Sequence, residues 1–570
     1  MKKLFLKLLF FVISFSIVFV LVFSIFRPIF FAKSLIFPYA IHPFDIVSVY
    51  PNTWNLLKKL YTVSFFISYL ILFNKLFNII YLKFPQKEQI KLLSNSNSKS
   101  NLSLLVGISK NNPVFISEKG LYQNILITGT IGTGKTSSAM YPFTKQLISY
   151  NAYNPNEKLA MLILDVKGNY FNKVAEFALE SGRLQDLISI DLSGNFKYNP
   201  LDKPHLNPVV LANRLKTILT LFSPNNSESY WLDKVEQILT ESIKFCRLYN
   251  NGYVSFSEIH KLVMFPEYYS EKLSILKEKF TQGLFNNEDI YNLLSSIDFF
   301  EKEFFSLDSR TISILKSEIS RITNIFVSDY KVAKTFCPSK EEINFHGFEE
   351  TLKAGKIVVL NMNIAEYKNL SKIIASYLKL DFQTEVMSQL SSSNAIRKSA
   401  FISDEFHEYV TTTDADFFAQ CREAKCINIV ATQSYTSIKN TLKDESATKV
   451  ILQNLINKLW FRTDDIFTIE EAQKQIGKEE KEKISTTISE NAKETKFNLI
   501  TNTLMSRDSN LSESYNKYTQ NDYIYDTNYF SQNLETFKCL AFISDGMKII
   551  KPTEIQMLPY YQKNFIERNK

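Results

Sequence analysis

Glycine is rare in this chain, with 14 in 570 residues, and cysteine rarer still, with five. The cysteines, Cys246, Cys337, Cys421, Cys426 and Cys539, form no CxxC pair. That excludes a disulfide framework and a cysteine zinc site and leaves reduced thiols as the plain reading. Charge of one sign is also in short supply. A net +8 spread over so long a chain permits an acidic partner but demands none. No small-residue cleavage pattern follows the first apolar run, so that run does not read as a removable leader. Hydrophobic residues make up 45% and charged residues 22%, the balance of folded protein. The length exceeds one ordinary core and implies two to four domains.

Two apolar stretches open the chain. From Leu8 to Phe26 there is no charge, and about 20 apolar residues cross a bilayer core. A second stretch, Leu60 to Leu82, carries Asn74 and Lys75; the lysine can snorkel to an interface. Transmembrane helices are expected over about 8–26 and 60–82. Pro28, Pro38, Pro43 and Pro51 lie in the short loop between them. Lys2, Lys3 and Lys7 on one flank and Lys83, Lys87 and Lys91 on the other place both termini on the cytoplasmic side. The segment LLSNSNSKSNLS that follows is polar and reads as a linker.

Glycine reappears where it has a use. Residues 121–138 read LYQNILITGTIGTGKTSS, and Gly129, Gly132 and Gly134 fall within six positions. With Lys135 and Thr136 they meet the pattern G-x-x-x-x-G-K-[ST]. The backbone must curl so that successive N–H groups face phosphates, and glycine permits it. Lys135 is placed for the β- and γ-phosphates of ATP and Thr136 for Mg²⁺. Thr130, Thr133 and Ser137 complete the candidate cradle, between an apolar strand and a helical stretch.

Two later strands end in carboxylates. LAMLILDVKGNYF ends in Asp165, a candidate Mg²⁺-side ligand. SAFISDEF ends in Asp404 and Glu405. Adjacent carboxylates allow a division of labour: Asp404 in the Mg²⁺ shell, Glu405 to orient and deprotonate a water. CINIVATQS follows and ends in Gln433, an amide placed to sense a γ-phosphate. Arg422, in FFAQCREAK, is a candidate arginine for the nucleotide of a neighbouring subunit.

Taken together these segments resemble the type IV secretion coupling proteins, the TraG/TraD family of conjugative ATPases. GTIGTGKTS resembles the family's phosphate loop, ISDEF its Leu-Asp-Glu-Phe strand end, and ATQSYTSIKN its Gln-Ser segment. LDVKGNY is similar to the family's Asp-Pro-Lys-Gly-Glu, with Val166 and Asn169 as departures. KYNPLD and LAFISDGMKIIKPTEIQMLPYY are also similar to family segments.

The resemblance implies an α/β fold: a RecA-like P-loop NTPase domain over 93–205 and 341–570, interrupted by an inserted all-helical domain over 206–340. An anchor of two transmembrane helices, 1–92, precedes it. It implies ATP and Mg²⁺ as cofactors and a multi-pass protein of a bacterial inner membrane with its ATPase domain in the cytoplasm. The implied partners are single- or double-stranded DNA, relaxosome or secretion-channel proteins, and five further copies in a hexamer. Helical stripes such as TISILKSEISRITNIF fit the insert.

Three other readings are weighed against it. One is a coupling ATPase that recruits only protein effectors. Another is a translocase of the FtsK or HerA kind, against which the large insert and the two-helix anchor argue. The last, an ABC-type subunit, would carry LSGGQ, of which DLSGNF is a partial echo. The segment 477–528 is polar and is expected to form loops and exposed helix.

Overall fold

The structure is a computed structural model that describes residues 102–561, apart from 166, 194, 223–228, 363, 368, 392–394, 492–495, 499–502 and 506–509, and scattered positions between 11 and 73. It divides into two units, 1–98 with 568–570, and 99–567.

In the first unit the described residues are helical. Phe11 and Phe15 meet Phe66, Tyr69 and Phe73, mostly edge-on, with ring centroids 5.1–6.2 Å apart. Ser14 Oγ and the Tyr69 hydroxyl share a hydrogen bond of 2.5 Å. Most of the expected spans 8–26 and 60–82, and the loop between them, lie outside the described residues. Among the described residues no helix is long and apolar enough to cross a membrane.

The second unit is built on an eleven-stranded sheet. In chain order its strands are β1 (Ser103–Ser109), β2 (Asn112–Ser117), β3 (Ile125–Thr128), β4 (Ala160–Leu164), β5 (Leu187–Ile190), β6 (Ile357–Leu360), β7 (Ser399–Ser403), β8 (Cys426–Thr432) and β9 (Asn457–Trp460). After β9 the chain makes two ribbons outside this sheet, β10 (Lys478–Asn491) with β13 (Asn510–Tyr523) and β11 (Lys496–Asn498) with β12 (Thr503–Met505). It then returns with β14 (Lys538–Phe542) and β15 (Thr553–Gln556).

The spatial order is β2-β1-β15-β14-β9-β3-β8-β7-β4-β6-β5. From β9 to β5 every pairing is parallel. The four strands from β2 to β14 extend this block by antiparallel pairing. The sheet is therefore mixed, because β1 and β2, which precede the parallel strands in the chain, and β14 and β15, which follow them, join the same edge.

Strands β3, β4, β6, β7, β8 and β9 are buried along their whole length. This explains the nearly continuous apolar runs of β3, β4 and β6. Alternate residues feed two cores: Leu126, Leu162 and Leu164 face one, while Ile125, Ile127, Met161 and Ile163 face the other. The second core is closed by α1 (Tyr141–Ser149) and α2 (Tyr170–Glu180), through Phe143, Leu147, Val174 and Phe177.

Between β5 and β6 the chain runs through helices from Pro208 to Phe336. The insertion expected at 206–340 falls on this block. Its first helix is α3 (Pro208–Phe222). The helix Ser309–Val327 shows why the pattern folds so. Asp308 caps its first turn by accepting from the N–H groups of Arg310 and Thr311 at 3.0 Å. Leu315, Ile319, Ile322 and Phe326, at four- and three-residue steps, form its buried stripe.

The expectation for 477–528 needs correction. Instead of loops and exposed helix, β10 and β13 pair over fourteen residues on each strand. Ile484, Thr486, Thr487 and Ile488 on one strand and Tyr515, Tyr518 and Tyr523 on the other are strand formers. The outward side chains that the structure describes are largely exposed. Where its side chains are described, the ribbon is mostly exposed on both faces, so no apolar alternation marks it.

One buried ion pair braces the turn that follows β7. Helix α4 (Asn369–Ser388) is enclosed along most of its length. Lys379 on it reaches Asp414 at 2.5 Å, with both side chains fully buried. Its ammonium also donates to the Tyr409 carbonyl at 2.6 Å and to Thr411 Oγ1 at 3.0 Å. Gln383 and the Thr411 N–H complete the Asp414 carboxylate, each at 2.7 Å. Lys379→Met strands a buried carboxylate and should cost about 3–5 kcal/mol, and Lys379→Met/Asp414→Leu should recover most of it. Urea unfolding of both variants checks this. An unchanged midpoint in the single variant would show that the pair braces nothing.

Candidate functional site

The loop after β3 turns sharply at Gly132 (φ +80°) and Gly134 (φ +92°). A Cβ at Gly134 would lie 2.4 Å from the Phe537 ring, so a side chain is refused on space as well as on φ. Gly129 is needed for a different reason: its Cβ would sit 2.6 Å from that of Phe461. The loop is fastened to the end of β9 by the Thr130 N–H, which donates to the Arg462 carbonyl at 2.9 Å. Thr133 Oγ1 donates to the Thr130 carbonyl at 2.8 Å. The Ser138 N–H meets the Gly134 carbonyl at 2.9 Å, and the helix continues through Thr136–Met140 into α1. A helix N-terminus thus opens where the loop ends, with its amides free for an anion.

Lys135 is buried within this cradle and donates to the carbonyls of Gly129 and Thr130. Burial pushes its pKa down, while Glu405 and Asp404 pull it back up. Thr136 Oγ1 donates to Asp404 Oδ2 at 3.0 Å. This contact ties the cradle to β7, although β8 stands between β3 and β7.

Asp404 is almost wholly enclosed. Burial raises its pKa to about 6, and Glu405 and Asp165 add to the rise against the pull of Lys167 and Thr136. Two hard oxygens, Thr136 Oγ1 and an Asp404 carboxylate oxygen, side by side under a phosphate cradle fit Mg²⁺. That ion takes one or two protein oxygens and completes its shell with phosphates and water.

Glu405 occupies the left-handed region (φ +50°) and turns away from the line of β7. Lys167 Nζ lies 3.4 Å from Glu405 Oε1 and 4.0 Å from Asp404 Oδ2. The sequence reading assigned Lys167 no role, yet it brings a second cation to the site. The signal was its place two residues beyond the carboxylate that ends β4.

Asp165 ends β4 beside β7, but its oxygens are engaged. Oδ1 accepts from the Lys167 N–H at 3.1 Å, and Oδ2 from the N–H groups of Asn169 and Tyr170 at 3.2 and 3.1 Å. It shapes the entry to α2, and Asp404, not Asp165, touches the cradle. Gln433 stands at the tip of β8. It lines an open cleft of ≈ 570 Å³ with Thr130, Ile131, Ser434, Thr463, Asp464 and Asp465. Arg422 is exposed in the turn before β8. Seven strand residues separate it from the Gln433 end, about 23 Å at 3.3 Å per residue. Within its own chain it cannot reach the cradle.

Phe537 and Tyr560, far along the sequence, close the same loop. The Phe537 N–H donates to the Thr133 carbonyl at 3.1 Å and the Tyr560 N–H to the Ser137 carbonyl at 2.9 Å. No local pattern marks Phe537, and Tyr560 falls in the closing segment that resembles the family's without showing this contact.

A strand, a glycine loop with its lysine, a helix, and a second strand, one place removed in the sheet, followed by a carboxylate that meets the loop's threonine define the P-loop NTPase class. Comparison with known proteins narrows the class. Residues 398–524 match the family model described as the TraM recognition site of TraD and TraG, in line with the TraG/TraD resemblance read from the motifs. No curated protein matches it in sequence. Among solved structures it is similar to the bacterial conjugative coupling protein TrwBdeltaN70 in its unbound form (11% identity, 83% of this chain and 92% of that chain, TM-score 0.51). It is similar also to TrwB in complex with ADP and Mg²⁺ (11%, 84% and 93%, TM-score 0.52). At such identity the likeness concerns the fold.

The raised Asp404 pKa gives a stability prediction. A carboxylate held at about 6 in the fold, against 3.8 outside it, costs stability that is complete above about pH 6 and fades toward pH 3.8. Asp404→Asn should therefore stabilise the nucleotide-free protein in EDTA at pH 7.5 by about 3 kcal/mol. The gain should vanish near pH 4. Thermal melts across that range measure it, and a lower melting temperature at pH 7.5 would contradict it.

Proposed function

We propose that this chain is a membrane-anchored ATPase that couples ATP hydrolysis to the passage of DNA or DNA–protein substrates through a type IV secretion channel. The observation that carries the ATPase reading is the 3.0 Å contact of Thr136 with Asp404, with Lys135 on one side of it and Glu405 on the other. It is supported by the structures of TrwB with ADP and Mg²⁺ and with a non-hydrolysable ATP analogue. The family match over 398–524 supports the coupling role.

In this reading the curled amides of 129–137 hold the phosphates, and Lys135 swings from the loop carbonyls to the β- and γ-oxygens. Thr136 and Asp404 hold Mg²⁺, which when bound neutralises charge on those oxygens. A water attacks the γ-phosphorus in line, the bond to the bridging oxygen of ADP breaks, and Glu405 takes the water's proton. Gln433 donates an amide hydrogen toward the γ-phosphate. Arg422 serves only a neighbouring subunit, so full activity needs a ring, of six copies by the family resemblance. The anchor is the pair of apolar stretches at 8–26 and 60–82.

Lys135→Ala should abolish ATP turnover in a folded protein. Glu405→Gln should bind Mg-nucleotide normally but turn it over roughly 10²–10⁴-fold more slowly. Wild-type turnover in purified Lys135→Ala protein would remove the cradle from the mechanism.

Turnover should rise more than linearly with protein concentration and be stimulated by DNA. DNA binding should weaken steeply with salt and show little sequence preference, because contact is mainly to phosphates. Arg422→Ala should lose the stimulated rate and regain it when mixed with Lys135→Ala subunits. A rate indifferent to DNA and to Arg422 would favour a coupling ATPase that recruits proteins alone. A reporter active only in the cytoplasm should work when fused after Lys570 and fail when inserted near Pro43. Activity at both positions would overturn the two-helix anchor.

A further inference from the structure

The turn after the Asp404–Glu405 pair places one residue at the site that the mechanism above does not use. His407 lies in the short helical turn Phe406–Glu408, with 15% of its side chain exposed. Its Nδ1 is 3.3 Å from Thr432 Oγ1 and 3.7 Å from Glu405 Oε2. Thr432 is the last residue of β8 and immediately precedes Gln433. Thr432 has a single hydroxyl proton, and it donates to the Ser434 carbonyl at 3.2 Å. Its oxygen therefore faces His407 as an acceptor, which puts a proton on Nδ1.

Glu405 Oε1 has Lys167 beside it, but Oε2 is buried with no hydrogen-bond partner among the described residues. A buried carboxylate oxygen without a donor is costly. The same Nδ1–H, at 3.7 Å, lies beyond hydrogen-bond reach by about half an ångström. The imidazole is held in place around this choice. Its backbone carbonyl accepts from Thr441 Oγ1 at 2.9 Å, and Nε2 faces Glu408 Oε1 at 3.6 Å. Lys372 pairs with that Glu408 and offsets its charge.

We propose that His407 is a positioning residue whose Nδ1–H alternates between Thr432 and Glu405 Oε2, aiming the Glu405 carboxylate at the attacking water and tying its position to the strand that carries Gln433. A change at the tip of β8 when the γ-phosphate is present or gone is then passed to the base through one proton. The inference rests on Glu405 being the base.

The test exploits which nitrogen acts. An asparagine amide nitrogen falls near histidine Nδ1, and a glutamine amide nitrogen near Nε2. In the full-length chain, His407→Ala and His407→Gln should lower kcat at least about tenfold, part of the ~10²–10⁴ that a general base contributes. KM and the affinity for a fluorescent Mg-nucleotide should stay within about twofold, as expected when only an interaction of the chemical step is lost. His407→Asn should recover most of the rate. His407→Ala in a Glu405→Gln background should slow the residual rate no further. Wild-type kcat in His407→Ala and His407→Gln overturns the proposal. So does equal loss in the Asn and Gln variants, or a further loss in the double variant, since a merely structural histidine would give either. Should Glu405→Gln alone turn over at the wild-type rate, the base assignment fails first, and that is seen without touching His407.

Discussion

The hydrogen bond from Thr136 to Asp404 is the contact on which the site depends, and it spans more of the sheet than its length suggests. The two residues belong to strands that are not neighbours: β8 runs between β3 and β7. Three parallel strands therefore end at one edge, the first carrying the cradle, the next Gln433, the third Asp404 and Glu405. Strands of a parallel sheet lie about 4.8 Å apart, so the cradle must lean across roughly two spacings to bring Thr136 within 3.0 Å of Asp404. The lean is fixed from outside by Arg462, Phe537 and Tyr560, whose backbone groups hold Thr130, Thr133 and Ser137. An open α/β sheet binds its ligands at the carboxyl ends of its strands; here that edge is built by chain segments more than four hundred residues apart.

Holding charge in such a place is unfavourable, and the structure shows how it is balanced. Asp404 is pushed up and Lys135 pushed down, both by burial, so each is strained toward its neutral form. A cation beside Asp404 and a phosphate beside Lys135 would satisfy both at once. Glu405 keeps one oxygen beside Lys167 and the other without a donor. Elsewhere the same fold buries charge with full compensation, as at Lys379–Asp414. The contrast separates groups that brace from groups that act.

What the sequence made legible was whatever lies within a few residues of a special backbone or a strand end. The cradle needs glycine at positive φ, so its pattern is local, and Asp404, Glu405 and Gln433 follow apolar runs too short to be helices. Asp165 carried the same signature, yet its carboxylate is spent on three amide groups of the next turn. A strand ending in Asp cannot distinguish a ligand from a cap. Lys167 was visible in the motif but not its aim. His407 and Phe537 were silent, and Tyr560 was visible only as part of a resembling segment, because their roles exist only once distant strands are paired. The β10–β13 ribbon was missed since a strand without a buried face leaves no alternation to read.

Helix α4 gives the site a rigid backing that reaches beyond it. Lys379, on this helix, grips the turn that follows Glu405 through Tyr409, Thr411 and Asp414. Asp381, two residues on, grips the approach to the helical block. It meets Lys203 at 3.0 Å, Arg214 on α3 at 2.9 Å, and the Tyr198 hydroxyl at 3.0 Å. Burial alone would raise the Asp381 pKa, but Lys203 and Arg214 bring it below the ordinary value, so it stays charged and both links hold. Breaking either by removing a partner strands a buried charge, at about 3–5 kcal/mol. Sliding a well-packed helix as a body leaves such bonds intact. The turn after Glu405 and the first helix of the block are therefore tied to one rigid helix by buried charges, and neither tie can be broken without leaving a charge unpaired in the interior.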